Sequence, residues 1–136
     1  MKQVAALPFV DTPSGPLVLL ITTRSMGRWT IPKGWTKAGL EDAEMAAREA
    51  FEEAGVEGEI SPKPVGSYDY TKRLHLFSWT RCSVDVFGLR TRWQELDWPE
   101  KQSRTLRWVT PEKAAAMVRD AQLADVLRDF AKLGLT

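Results

Sequence analysis

The chain has 136 residues, 43% of them hydrophobic and six of them tryptophan, which suffices for one compact domain over residues 1–136 and is too short for two. Nineteen Lys and Arg stand against 18 Asp and Glu, so the net charge of +1 gives no global field for nucleic acid or an acidic membrane, and neither partner is expected. The lone Cys82 has no intrachain partner and points to a reducing compartment such as the cytoplasm, while no apolar run approaches the roughly 18 residues of a membrane span.

Residues 3–10 and 17–23 read as two strands joined by the turn at Asp11-Thr12-Pro13-Ser14-Gly15. Trp29-Thr30-Ile31 reads as a short third strand stopped by Pro32 and Gly34. From Asp42 to Ala54 the apolar residues Ala43, Ala46, Ala47, Ala50, Phe51 and Ala54 recur at helical spacing, and Gly55 supplies a stop. Residues 58–70, broken by Pro62, Pro64 and Gly66, hold one or two irregular strands; 73–89 form a long strand or hairpin; 91–104, polar with two tryptophans, read as a surface loop. Arg107-Trp108-Val109 is a short strand, Thr110-Pro111 a cap with proline at the first helical position, and a helical pattern runs to about Phe130 with a break near Asp120. Strands followed by a central helix and a helical tail give an α/β (α+β) fold, a mixed β-sheet sandwiched between α-helices.

On a wheel of about 100° per residue the alanines and Phe51 of the central helix share one arc, and Glu49, Glu52 and Glu53 share another. Like charges at this spacing cost roughly 0.2–0.5 kcal/mol per pair and ask for a compensating cation. Glu44, Arg48 and Glu52, at successive i,i+4 positions, could form a neutralising ladder. Taken on this face alone, the patch reads first as a solvated acidic surface, the more common explanation of a charge run. Clustered carboxylates without His or Cys suit Mg²⁺ or Mn²⁺, shared with the phosphates of a substrate.

The stretch from Gly34 through Arg48-Glu49-Ala50-Phe51-Glu52-Glu53-Ala54-Gly55-Val56 resembles the signature of the Nudix (MutT-like) hydrolases. Counted from Gly34, the Arg, the three Glu, Gly55 and Val56 fall on the required positions, and Ala50 fills an aliphatic slot. The first Glu of the signature is replaced by Leu40, with Glu41 one place later. The resemblance implies a metal-dependent hydrolase with Glu49 and Glu53 as metal ligands, Glu52 as a further ligand or general base, the carbonyl of Gly34 as another oxygen ligand, and Arg48 orienting the glutamates.

Flanking residues are similar to the diphosphoinositol polyphosphate and diadenosine polyphosphate branch: Arg24-Ser-Met-Gly-Arg28-Trp29-Thr-Ile-Pro32-Lys33 before the signature, and Glu100 to Arg104 to Trp108-Val109 after it. That branch implies substrate phosphates held by Arg24 and Arg104, with Lys33 beside Gly34 and with Lys72 and Arg73 on a strand next to the cleft. Arginine offers phosphate a bidentate fork. Glu95 and Glu100 are further candidates for a ligand or base from outside the helix; Arg28, Arg90 and Arg92 read as solvated charges, and His75 as packed or surface-exposed. Trp93 and Trp98 either stack on a purine or anchor their loop to the core.

The implied reaction is cleavage of a pyrophosphate linkage in a phosphorylated small molecule, a nucleoside or inositol polyphosphate, by water attack at phosphorus. The alternative is a module of the same fold that binds phosphate ligands with weak or no turnover because of Leu40. An inositol pyrophosphate asks for an almost wholly basic pocket; a nucleotide adds an aromatic or apolar slot. The near-zero net charge is itself composite: residues 41–59 carry eight acids and one base, 24–37 four bases and no acid, and 72–107 eight bases and four acids.

Overall fold

In the computed structural model, which describes residues 1–133, the opening hairpin is formed by β1 (Lys2–Thr12) and β2 (Gly15–Thr22), paired antiparallel about a turn in which Gly15 takes φ +118°. Strand β3 (Trp29–Thr30) ends before Ile31, and a fourth strand, β4 (Lys33–Trp35), follows after Ile31 and Pro32. The third strand stops before Pro32 as expected, but Gly34, expected to act as a stop, lies inside β4 instead. Proline lacks a donor, but its carbonyl accepts Ala6 N–H at 3.0 Å, and β4 pairs with β1 over Gln3–Ala5.

Helix α1 (Asp42–Ala54) has the expected bounds, ended by Gly55 at φ +70°. Strand β5 (Val56–Ile60) precedes the hairpin of β6 (Gly66–His75) and β7 (Ser78–Gln94). Strand β7 runs well into the segment expected to be loop. Its end stays extended because β5 pairs with it from Val56 opposite Gln94 to Ile60 opposite Leu89, while the polar side chains look to solvent. A single 3₁₀ turn at Lys101–Ser103 leads to β8 (Leu106–Val109).

The cap and the break fall where composition put them. Thr110 Oγ1 accepts Lys113 N–H at the start of α2 (Pro111–Met117), and Asp120 caps the separate helix α3 (Ala121–Lys132) by accepting from Gln122 and Leu123.

The strands make one mixed sheet in the order β3-β2-β1-β7-β5, with β4 beside β1, β6 beside β7 and β8 beside β2. The pairing of β1 with β7 is parallel. Alternation along β1 sends Val4 and Ala6 to one face and Ala5, Leu7 and Phe9 to the other. The first face packs on Met45, Ala46, Ala50 and Ala54 of α1; the second packs on Ala114, Leu123, Leu127 and Phe130 of α2 and α3. Small alanines on α1 bring that helix, and the glutamates on its flank, close to the strands. Among the described residues no helix is long and apolar enough to cross a membrane.

Phe130 meets Phe9 edge to face with ring centroids 5.2 Å apart, far from the acidic face of α1. Phe130→Ala is expected to cost about 3–5 kcal/mol, measured by urea unfolding, because the cavity opens under a sheet that cannot collapse onto it.

Candidate functional site

Strand β1 gives one edge to β7 over Lys2–Phe9, so it meets both β4 and β2 along the other, β4 over Gln3–Ala5 and β2 over Phe9–Thr12. The sheet splits between those two partners. A cleft of about 960 Å³ opens there, bounded by the β2–β3 loop, β4, β6 from Tyr68 to Arg73, the loop of Glu100 and Arg104, the α2–α3 corner and the flank of α1.

Gly34 lets α1 reach this cleft. It lies opposite Val4 in the β1–β4 register, and Val4 faces α1, so the open side of Gly34 faces α1 too. A β-carbon built there would stand 2.5 Å from the carboxyl carbon of Glu49. Glycine is therefore required for the carboxylate to lie against the strand.

Glu53, one helical turn on, is 4% exposed. Burial is the main cause that pushes its carboxyl pKa up to about 9, and a hydrogen bond with Glu49 adds to it, while Arg104 opposes. Near neutral pH the Glu53 carboxyl therefore keeps its proton, hydrogen-bonded to Glu49. Arg104 Nη2 stands 3.3 Å from Glu53 Oε1 and 2.8 Å from Glu100 Oε1, its Nε donates to the same Glu100 oxygen at 3.0 Å, and its Nη1 donates to the Thr22 carbonyl at 2.9 Å. Glu100 is fixed in turn by its own N–H on the Glu52 carbonyl and lies 3.9 Å from Arg24 Nε.

Around these acids the cleft is lined by seven cations, Arg24, Arg28, Lys33, Lys72, Arg73, Arg104 and Arg119, against four acids, Glu49, Glu53, Glu100 and Asp120. Burial lowers the pKa of Lys33, with Glu53 acting against that and Lys72 and Arg104 adding to it. The Lys33 ammonium lies 5.3 Å from the centre of the Tyr70 ring and the Lys72 ammonium 5.5 Å from that of Trp35. Tyr70 is itself held by donating to Gln3 Oε1 at 2.5 Å. Arg73 bends back to the carbonyls of His75 and Leu76 in its own hairpin.

The residues expected at a site divide into two groups. Gly34, Glu49, Glu53, Glu100, Arg24, Lys33, Lys72, Arg73 and Arg104 are brought together. Glu52 is half-buried and its side chain is outside the lining; Arg48 is exposed and, among the described residues, has no hydrogen bond or ion pair, so the Glu44–Arg48–Glu52 ladder does not form. Glu95 is exposed, hydrogen-bonded to Glu57 beyond the end of the β5–β7 pair, and away from the cleft. Leu40, at the first Glu position, packs against the apolar cluster under α1.

Trp98 anchors its loop: its indole N–H donates to the Glu53 carbonyl at 3.3 Å and its ring fills the space beside Gly55. Trp93 donates to Glu57 Oε2 on the β5 side. Arg90 pairs with Asp11 and Arg92 with Glu59, both outside the cleft, whereas Arg28, expected to be a solvated surface charge, lines it. Trp35, Tyr70 and Arg119 were not singled out from sequence. Only the placement of the helix break at Asp120 hinted that the neighbouring Arg119 would sit at a corner.

Among the described residues no three Asp, Glu, His or Cys side chains stand close enough to hold a metal ion as arranged. The pair Glu49 and Glu53 nonetheless fits a hard divalent cation: both are oxygen donors, they are hydrogen-bonded to each other, and glycine clears the strand beside them.

A model of the NUDIX domain matches residues 1–130. Nudix hydrolase 16, mitochondrial, of Arabidopsis thaliana is 33% identical over 113 residues, 81% of this chain and 62% of that protein, so the chain spans about three-fifths of that relative's length. The asymmetrical bis(5'-nucleosyl)-tetraphosphatase of Sus scrofa is 25% identical over 126 residues, 90% of this chain and 83% of that protein. A crystal structure of a C. elegans Ap4A hydrolase binary complex superposes with a TM-score of 0.69 at 18% identity, covering 96% of this chain and 95% of that one.

Because the folded pKa of Glu53 lies above the ordinary carboxylate value, the folded protein keeps a proton that the unfolded chain releases, and metal-free stability falls as pH rises from about 4.5 toward 9. Glu53→Gln removes that dependence. In chelator, its melting temperature is expected to exceed the parent's by about 5 °C at pH 8.5 and to match it near pH 5, read by thermal melts at both values.

Proposed function

The chain belongs to the NUDIX domain family, and on that premise we propose that it hydrolyses a pyrophosphate linkage in a nucleoside or inositol polyphosphate, with Mg²⁺ or Mn²⁺. The observation that carries this reading is the buried Glu53 carboxyl, hydrogen-bonded to Glu49, on the wall of a cleft whose other charged groups are mostly Arg and Lys. A polyphosphate brings more negative charge than one or two divalent ions balance, and the surplus asks for such a lining.

In this reading Glu49 and Glu53 hold the cation, beside Gly34, and exchange the Glu53 proton for it. When bound, the cation supplies charge neutralisation on the anhydride oxygens and a more acidic attacking water. Glu52 takes the part of further ligand or general base, which requires its half-buried side chain to turn toward the cleft. Arg104, its guanidinium fixed by Glu53, Glu100 and the Thr22 carbonyl, holds the electrostatic frame of the acids and presents its remaining surface to phosphate. Lys33, kept less basic by burial, and Arg24 and Lys72, toward the mouth, position the phosphate chain for in-line attack. We place the enzyme in a reducing compartment such as the cytoplasm, where the buried Cys82 stays a thiol.

The second reading, a phosphate-binding module with weak or no turnover, is favoured by Leu40, which packs against the apolar cluster and leaves Arg48 without a partner among the described residues. Phosphate release from diadenosine tetraphosphate, ADP-ribose and a diphosphoinositol polyphosphate, with and without Mg²⁺ or Mn²⁺, separates the two. Metal-dependent turnover of at least one is expected, falling by two or more orders of magnitude in Glu53→Gln while the variant stays folded. Tight binding with no metal-dependent turnover on any of them establishes the binding module instead.

Added Mg²⁺ or Mn²⁺ is also expected to raise the melting temperature, more at pH 8.5 than at pH 6, since at the lower pH the ion competes with the Glu49–Glu53 proton. A metal-induced shift independent of pH and retained in Glu53→Gln places the ion elsewhere.

A further inference from the structure

Between the two substrate classes left open above, we infer that Trp35 is a nucleobase platform and that the substrate is a nucleoside polyphosphate; this rests on the reading of the cleft as a pyrophosphatase site.

Trp35 is 38% exposed and lines the cleft. The other strongly exposed tryptophans have different places: Trp79 lies under Arg73 on the outer hairpin, and Trp93 is tied to Glu57 within the β5–β7 pair, away from the cleft. Leaving that much indole surface facing a polar cleft is unfavourable for the protein by itself, and a ligand consisting of phosphates on a polyol ring has nothing flat and apolar with which to cover it. A purine does: its face stacks on an indole without sequence-like readout.

Placement along β4 strengthens the assignment. Side chains alternate along a strand, so Lys33 and Trp35 share one side of β4 while the open side of Gly34, between them, receives Glu49. Trp35 nonetheless lines the same cleft as Glu49 and Glu53, so a base stacked on it shares that cleft with the two carboxyls. Lys72, with its ammonium 5.5 Å from the indole centre, steadies the ring from one side and sits where the first phosphate of a stacked nucleotide would emerge. Lys33 repeats the arrangement one step deeper, over Tyr70. The wall thus alternates aromatic face and ammonium, the order in which a nucleotide presents base and phosphate.

The test compares the parent, Trp35→Ala and Trp35→Phe on diadenosine tetraphosphate and on base-free inorganic tripolyphosphate, together with quenching of tryptophan fluorescence by adenosine tetraphosphate in chelator. Trp35→Ala is expected to lower the ratio of kcat/KM for diadenosine tetraphosphate over tripolyphosphate at least tenfold, mainly through KM. Trp35→Phe is expected to keep most of that ratio while losing the quench. An equal loss on both substrates, or a parent that turns over a diphosphoinositol polyphosphate in preference to the dinucleotide, overturns the inference. If the parent hydrolyses no phosphoric anhydride, the pyrophosphatase reading fails, and the quench still decides the platform: its presence in the parent and absence in Trp35→Phe supports it, and its absence in the parent overturns it.

Discussion

The burial of one carboxyl, that of Glu53, organises the surrounding structure. A carboxylate taken from water without compensation is costly, and a helix flank that also carries Glu49 and Glu52 compounds the cost through like-charge repulsion. The fold answers with a proton kept on the Glu53 carboxyl, hydrogen-bonded to Glu49, and with a guanidinium that is itself nearly buried, Arg104, whose side chain is 10% exposed. Arg104 needs partners of its own and finds them in the Glu100 carboxylate and the Thr22 carbonyl. One buried acid thereby ties the end of β2, the 95–105 loop and α1 into a single network. Such a network gives little net stability, since desolvation consumes most of the Coulombic gain, and its value lies in fixing where the charges are.

Backbone topology makes that network reachable. Because β1 spends one whole edge on β7, its other edge must serve two short partners, and the gap between β2 and β4 cannot be closed by either. Alanines on α1 bring the helix close under the gap, Gly34 removes the last side chain in the way, and Trp98 clamps the loop that delivers Glu100 and Arg104 by filling the space beside Gly55. Packing and chemistry are the same choice here: small residues under the sheet, large ones to lock the loop, charge only in the opening.

Much of this was legible in the sequence because it is local. The alanine spacing from Asp42 to Ala54, the Thr110-Pro111 cap and the break at Asp120 each depend on neighbours within a turn or two, and all are where composition placed them. Strand β4 and the outer third of β7 were not legible, since a three-residue strand interrupted by glycine and a strand of polar residues owe their extended form to partners far along the chain, β1 and β5. The acids on α1 could be read as a patch, whereas their division into a buried Glu53, a half-buried Glu49 and a Glu52 outside the lining depends on the angle at which the helix meets β4. Arg119 and Trp35 carry no local signature of a site at all; tertiary structure alone gives them a shared cleft.

Near-neutrality of the whole chain is consequently a poor description of its electrostatics. The acid-rich stretch 41–59 and the base-rich stretches on either side of it nearly cancel in sum, yet folding does not mix them evenly. It pairs Arg90 and Arg92 with Asp11 and Glu59 on the outside, where ion pairs are screened and contribute little. It leaves an excess of cations in the cleft, facing Glu49 and a buried Glu53 whose carboxyl is pushed toward its protonated form. Without a ligand such a cleft carries unbalanced positive charge beside a displaceable proton. Under the proposed function, a polyanion arriving with a divalent cation would balance both at once, and the charge count, uninformative as a total, becomes specific when it is resolved into places.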